Sequence, residues 1–356
     1  MTHAELVAAG GALVGTGLSF VADLGGGTRC TVLRCRTAEG GTVVLKQFAD
    51  RPDALACFTA EAAGLRLSRH GPELLAVDPA AALLVLSDLG SAPSLADVLT
   101  GTSAAGARAG LLAWAAAYGT LAAETAGREP ELAALRARYD RGAPPWDAGD
   151  WIGARIAALP AALEALGVRG AAGVSLRLDE FPVFSPGDIC PDNNLLCADG
   201  MRLLDFEGAG YRPVFLDAAY VTMPFATCWC VFRLPPAVVS EVDAVYRSHV
   251  APVYPALADD EVWRDGVRRA VAAWTVDATV ALGTRAAAGD RPLHPRRTPV
   301  PTIRGLLRHR WQTLADVAWP ELPAFANLAD RLLAASAGWG VEPLPLYPAF
   351  SAHGSR

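Results

Sequence analysis

Three oxygen-bearing side chains flank a predicted β-hairpin near the middle of the chain. Asp188 and Asn193 precede the hairpin, and Asp205 follows it. The hairpin is predicted over residues 194–204, with Asp199-Gly200 as its turn pair. Folding it back brings its two ends together, so the three side chains can converge on one point. One carboxylate there could orient a hydroxyl nucleophile, while the other carboxylate and the amide hold Mg²⁺ on phosphates.

The residues around the hairpin match a known pattern. Gly187-Asp188-x-x-x-x-Asn193 followed by Leu203-Leu204-Asp205-Phe206-Glu207 resembles the catalytic loop and the metal loop of the aminoglycoside phosphotransferase family, a small-molecule branch of the protein-kinase-like fold. The resemblance implies that Asp188 is the catalytic residue and that Asn193 and Asp205 hold Mg²⁺. The family usually has a histidine where this chain has Pro186. That histidine mainly organises the loop, so its loss bears on loop geometry more than on chemistry. The alternative is a surface hairpin between two Asp-rich turns.

The first ninety residues predict a small sheet upstream of this motif. Alternating apolar residues and turn signals predict five antiparallel strands, with one helix over residues 53–70. The first turn contains Gly25-Gly26-Gly27, the third strand carries Lys46, and the helix carries Glu61.

In the resembled fold these residues act on the nucleotide. The glycine turn lies over the phosphates, where missing side chains let backbone N–H groups approach. Lys46 would reach the α- and β-phosphates, and Glu61 would pair with Lys46. Taken singly, such a turn could serve any hairpin, and the lysine and glutamate could simply face solvent. Their combination upstream of Asp188 favours a nucleotide site.

The resemblance implies an α+β, protein-kinase-like fold with two lobes. Residues 1–88 would form a small N-terminal nucleotide-binding lobe with the five-stranded antiparallel sheet plus one helix. Residues 89–356 would form a larger, mainly helical C-terminal lobe with the catalytic and acceptor-binding residues. In this family the connector between the lobes binds adenine through backbone groups, so Ser87 and Leu89 are candidate neighbours of the base.

Composition argues against several classes of protein. The chain has 356 residues and a formal net charge of −6, without the basic excess of nucleic-acid binders. No stretch has the length and hydrophobicity of a confident membrane span, so no membrane partner is expected. A monomer or a homodimer is expected.

The seven cysteines are scattered, odd in number and without paired Cys-x-x-Cys motifs. They indicate reduced thiols in a cytoplasmic protein. Cys228-x-Cys230 alone is a weak metal signal, and the favoured interpretation is two small buried side chains.

Two segments of the C-terminal half leave their roles open. Residues 222–234 are dense in aromatic and cysteine side chains. They could line a substrate pocket, but a buried segment that packs against helices is the favoured interpretation. Residues 289–299 form a basic, proline-rich loop, which with Arg304, Arg308 and Arg310 could bind an anionic substrate or be a solvated surface.

These features predict a phosphotransferase that uses Mg²⁺ and ATP, with GTP as a possible donor. The acceptor would be a hydroxyl group of a small molecule such as an antibiotic, a natural product or a metabolite. One alternative is a peptide or protein kinase acting in peptide maturation. It is disfavoured because only about twelve residues separate Asp205 from Asp217, too few for a peptide platform. Another is a nucleotide-binding pseudokinase that serves as a partner subunit, which Pro186 alone supports.

Overall fold

The computed structural model describes residues 1–144, 150–169, 173–318 and 320–351, which form a sheet region followed by a mainly helical region. The strands of the large sheet are β1 (Leu18–Gly25), β2 (Cys30–Thr37), β3 (Thr42–Phe48), β4 (Leu74–Asp78) and β5 (Leu83–Ser87). They are antiparallel and lie in the order β1-β2-β3-β5-β4. The predicted five-stranded antiparallel sheet is therefore confirmed.

Two helices pack on opposite faces of this sheet, because successive strand residues point to opposite sides. α2 (Pro52–Leu67) packs on the face that includes Phe48, and α1 (His3–Val14) packs on the face that includes Leu45. α2 corresponds to the predicted helix. The structure adds α1 to the single helix that was expected in this lobe.

The helical region buries leucine, alanine and aromatic side chains in one continuous core. Its helices are α3 (Leu95–Leu99), α4 (Ala104–Thr125), α5 (Glu129–Tyr139), α6 (Trp151–Ala165), α7 (Val214–Ala218), α8 (Pro236–Val250), α9 (Asp260–Ala288), α10 (Ile303–Ala318) and α11 (Pro323–Ala335). α4 packs against α8, while α9 packs against both α6 and α10. Among the residues described, no helix is long and apolar enough to cross a bilayer. The lobe boundary at residues 88 and 89 stays a prediction.

Two short sheets hold the segment that contains the predicted site. β6 (Pro182–Ser185) pairs with β9 (Gly210–Pro213), and β7 (Asn194–Cys197) pairs with β8 (Gly200–Leu203). Both pairs are antiparallel, and the β7–β8 hairpin is nested in sequence between β6 and β9. The two loops that join the inner pair to the outer pair must therefore lie side by side.

Residues 222–234 are mostly buried, as expected of a segment that packs against helices, and their own backbone is irregular. Phe225 has a φ of +53°, a left-handed conformation that interrupts a right-handed helix. This change of direction carries the following residues towards the loop that contains Asp188.

Candidate active site

Residues 186–193 (the catalytic loop) and residues 204–209 (the metal loop) approach each other through their backbones. Gly187 has a φ of +99°, and a Cβ atom there would lie 2.4 Å from the carbonyl oxygen of Gly208. Glycine is needed for both the conformation and the close approach. The three polar residues predicted from the hairpin motif therefore lie on adjoining loops.

Asp188 is held in the catalytic loop by hydrogen bonds to its side chain and its backbone. Thr227 Oγ1 donates to Asp188 Oδ1 at 3.0 Å. Burial raises the pKa of Asp188, and hydrogen bonds from Cys190 and Thr227 partly oppose that rise. Asn193 Nδ2 donates to the carbonyl oxygen of Asp188 at 3.0 Å, so the Oδ1 atom of Asn193 is the end of the amide suited to a cation.

Helix α4 supports the catalytic loop from the helical region. Trp114 Nε1 donates to the carbonyl of Ile189 at 3.2 Å, and the Tyr118 hydroxyl donates to Asn194 Oδ1 at 2.8 Å. Asn194 Nδ2 in turn donates to the carbonyl of Cys190 at 2.5 Å. These bonds satisfy buried polar groups of the loop and fix its path.

Lys46 on β3 and Glu61 on α2 form a buried ion pair that extends to the metal loop. Lys46 Nζ lies 2.5 Å from Glu61 Oε2 and 3.0 Å from Asp205 Oδ1. Burial acts to lower the pKa of Lys46, but the two carboxylates outweigh it and hold that pKa well above its ordinary value. The lysine therefore stays charged and connects the sheet to the metal loop.

The glycine-rich turn between β1 and β2 adopts a conformation that suits glycine. Gly25, Gly26 and Gly27 have φ values of +96°, +123° and +69°. A Cβ atom on Gly26 would lie only 2.4 Å from the Cys30 carbonyl oxygen. Close to this turn, an ion pair joins Arg29 to Glu207 of the metal loop. The turn and the metal loop therefore border the same cleft.

The donor set of this cleft fits a divalent cation. Carboxylate and amide oxygens are the ligands that Mg²⁺ prefers, and Asp205 and Asn193 supply one of each. Asp205 has a φ of +59°, a conformation that Asp adopts more readily than most residues, and its side chain is 31% exposed. The side chains named around this cleft include more carboxylates than cationic groups. The carboxylates are Asp188, Asp205, Glu61 and Glu207, and the cationic groups are Lys46 and Arg29.

The connector after β5 is fastened to the sheet. The Ser87 hydroxyl accepts the backbone N–H of Glu73 at 2.8 Å, and Asp88 pairs with Arg34 at 2.8 Å. Leu89 is half-buried. The side chains of Ser87 and Asp88 already have partners, and that of Leu89 is apolar. A nucleotide base at this connector would therefore form its hydrogen bonds with backbone groups.

Residues 227–230 cover the catalytic loop, and sequence reasoning missed them. We call these residues the covering segment. Three successive side chains contact alternate residues of the loop: Thr227 with Asp188, Cys228 with Cys190, and Trp229 with Asp192. The guanidinium of Arg297 lies 4.8 Å from the Trp229 ring, so the basic loop reaches this segment. The signal available in the sequence was the density of aromatic and thiol groups.

The arginines that follow the basic loop serve separate contacts in the helical region. Arg310 is buried and donates to the carbonyl of Ala226 at 2.5 Å, whereas Arg304 lies 4.7 Å from the ring of Trp339. Arg308 donates to the carbonyl of Ser336 at 2.6 Å. Each of the three arginines therefore has a contact within the helical region.

One family model and several solved structures match the chain. The model, described as "Phosphotransferase enzyme family", matches residues 21–244. A choline kinase from Cryptosporidium parvum is 10% identical with a TM-score of 0.52, over 88% of this chain and 93% of that one. A macrolide 2'-phosphotransferase from Brachybacterium faecium is 18% identical with a TM-score of 0.49, over 80% of this chain and 96% of that one. A comparison with curated proteins finds no match. The likeness to the choline kinase shows the predicted protein-kinase-like fold.

Proposed function

The chain belongs to the phosphotransferase enzyme family, and we propose that it is an ATP- and Mg²⁺-dependent kinase of small molecules. It would move the γ-phosphate to a hydroxyl group of an antibiotic, another natural product or a metabolite. The observation that carries this proposal is the contact of Lys46 with both Glu61 and Asp205, at 2.5 and 3.0 Å. It joins the predicted phosphate-binding lysine to the predicted metal ligand within one cleft.

On this proposal the nucleotide side of the cleft works by position and charge, as phosphoryl transfer requires. Lys46, held by Glu61, neutralises the α- and β-phosphates. Backbone N–H groups of Gly25-Gly26-Gly27 approach the phosphates from the sheet side. Asn193 and Asp205 would hold Mg²⁺, which would supply positive charge to offset that of the phosphates.

Asp188 acts on the acceptor. Its carboxylate orients the acceptor hydroxyl and accepts the proton late in the transfer. The bond from Thr227 at 3.0 Å keeps one carboxylate oxygen in place. The nucleotide base would contact backbone groups of the connector near Ser87 and Leu89, and such contacts leave both ATP and GTP as possible donors.

The chain after Asp205 favours a small acceptor over a peptide. The metal loop, β9 and α7 follow one another from residue 204 to residue 218, and all of these residues are described. No extended segment within this range is left to serve as a platform for a peptide.

The test is phosphate transfer by the purified full chain. The protein is incubated with MgATP or MgGTP and a panel of small hydroxyl compounds and peptides, and both nucleoside diphosphate and the phosphorylated acceptor are measured. We expect turnover with at least one small acceptor, lost on chelation and restored by Mg²⁺. Turnover confined to peptides would support the peptide-kinase alternative, and nucleotide binding without turnover would support a pseudokinase. Either result would contradict the proposal.

A further inference from the structure

Thiols and a carboxylate meet where the covering segment crosses the catalytic loop. The sulfur atoms of Cys190 and Cys228 and a carboxylate oxygen of Asp192 all lie within 4.8 Å of one another. Cys228 Sγ lies 3.9 Å from Asp192 Oδ1 and 3.1 Å from Cys230 Sγ. The three cysteines are buried and none of them forms a disulfide, while Asp192 is half-buried.

The spacing of these atoms approaches that of a tetrahedral cation site. Zn–S bonds of about 2.3 Å place two sulfur ligands about 3.8 Å apart, so shifts of no more than about 1 Å would suffice here. The ligands come from two segments that are already in contact. Asp192 is the partly exposed member of the set.

The carboxylate is held in the orientation that such a site needs. Trp229 Nε1 donates to Asp192 Oδ2 at 2.6 Å, while Asp192 Oδ1 lies 3.9 Å from the sulfur of Cys228. Carboxylates that bind metals are commonly oriented by a hydrogen bond of this kind. A thiol can also donate weakly to a carboxylate, as Cys190 does to Asp188. What distinguishes this cluster is that two sulfur atoms and a carboxylate oxygen from two segments converge on one point.

We propose that Cys190, Asp192 and Cys228 form a binding site for a thiophilic divalent cation of the Zn²⁺ class, with Cys230 or a water molecule as the fourth ligand. Each thiol releases its proton to solvent as its sulfur binds the cation. Sulfur ligands select such cations over Mg²⁺, which prefers oxygen. The site is therefore chemically different from the pair formed by Asn193 and Asp205.

A cation at this site would tie the covering segment to the catalytic loop. Cys190 and Asp192 lie between Asp188 and Asn193 in the loop, so their coordination would restrict the residues on either side. An effect on phosphate transfer would follow from this restriction, and that effect rests on the proposed function. Binding of the cation itself does not depend on the proposed function.

The test uses Cd²⁺ as the probe, because thiolate ligands give it an ultraviolet charge-transfer absorption that oxygen ligands do not. The full chain, kept reduced with a phosphine, is titrated with Cd²⁺ in excess Mg²⁺ and without nucleotide or acceptor. We expect a thiolate signal that saturates at one Cd²⁺ per chain and decreases when Zn²⁺ is added. Because no phosphate transfer is measured, the outcome is independent of the proposed function.

Matched variants decide whether the signal comes from this site. Cys228→Ala and the shape-preserving Asp192→Asn should each weaken Cd²⁺ binding by more than about tenfold, since changes outside the ligand set alone cost that much. Cys35→Ala removes a buried thiol from the sheet region and should bind as the wild type does. Circular dichroism establishes that each variant is folded. Absence of the signal in the wild type, or its persistence in folded Cys228→Ala, would overturn the proposal.

Discussion

Replacing Asp188 by Asn should remove most of the turnover while leaving the fold intact. Asn has the same shape, and its Oδ1 can still accept the Thr227 hydroxyl, which lies 3.0 Å from Asp188 Oδ1. It cannot take the proton of the acceptor. A positioned acid–base group contributes about 10²–10⁴-fold. Since each tenfold corresponds to about 1.36 kcal/mol, the transition state should lose about 3–5 kcal/mol of stabilisation.

The same substitution should not lower thermal stability. Burial raises the pKa of Asp188, so the ionised carboxylate is less favourable in the folded protein than in the unfolded chain. This cost is present above the unfolded-state pKa, and therefore at neutral pH. A neutral amide removes it, so Tm should stay the same or rise.

The assay measures kcat/KM with MgATP and an acceptor from the panel, together with thermal denaturation. Asp199→Asn is the matched control, because it makes the same chemical change at the exposed turn of the hairpin. The control should keep both activity and Tm. If Asp188→Asn retained kcat within about threefold of the wild type, Asp188 would not be the catalytic residue. A large fall in its Tm would refute the argument from burial.

Two further substitutions test the supports of the site. In Glu61→Gln, Asp205 is the remaining carboxylate partner of Lys46, so Lys46 competes with Mg²⁺ for that carboxylate. We expect kcat to fall about 10–100-fold and the Mg²⁺ concentration for half-maximal rate to rise. An unchanged Mg²⁺ midpoint would count against this pairing. Thr227→Val removes a hydrogen bond that opposes the raised pKa of Asp188, so that pKa should rise further and the acidic limb of the pH–rate profile should move to higher pH. Thr227→Ser keeps the hydroxyl, so the acidic limb of its pH–rate profile should stay where it is in the wild type. If the Val and Ser variants gave the same profile, the hydrogen bond from Thr227 would not have this role.

Elements with local signals could be predicted from the sequence. Lys46 was expected on the third strand, and β3 carries it; the β7–β8 hairpin follows from its Asp-Gly turn. α1 was missed because its glycines lower helix propensity. Gly10 permits close packing instead, since a Cβ atom there would lie 2.6 Å from a methyl group of Leu45. Tertiary contact here outweighs propensity.

Contacts between distant segments could not be predicted in the same way. β6 and β9 have four residues each and pair across the whole hairpin, so neither strand has a strong signal of its own. The covering segment was hidden for a similar reason. Its aromatic and cysteine content suits a buried helix as well as a loop, and the left-handed Phe225 that redirects it cannot be identified from residue type. The bond from Thr227 to Asp188 spans 39 residues.

These distant contacts bear on the absence of the usual histidine at Pro186. A histidine that organises the catalytic loop is needed only if nothing else holds it. Here Trp114 binds the carbonyl of Ile189, and Thr227 binds the Asp188 carboxylate. Gly187 packs its backbone against the metal loop as well. Because side chains from two other parts of the helical region already restrain the loop, Pro186 gives little support to a pseudokinase.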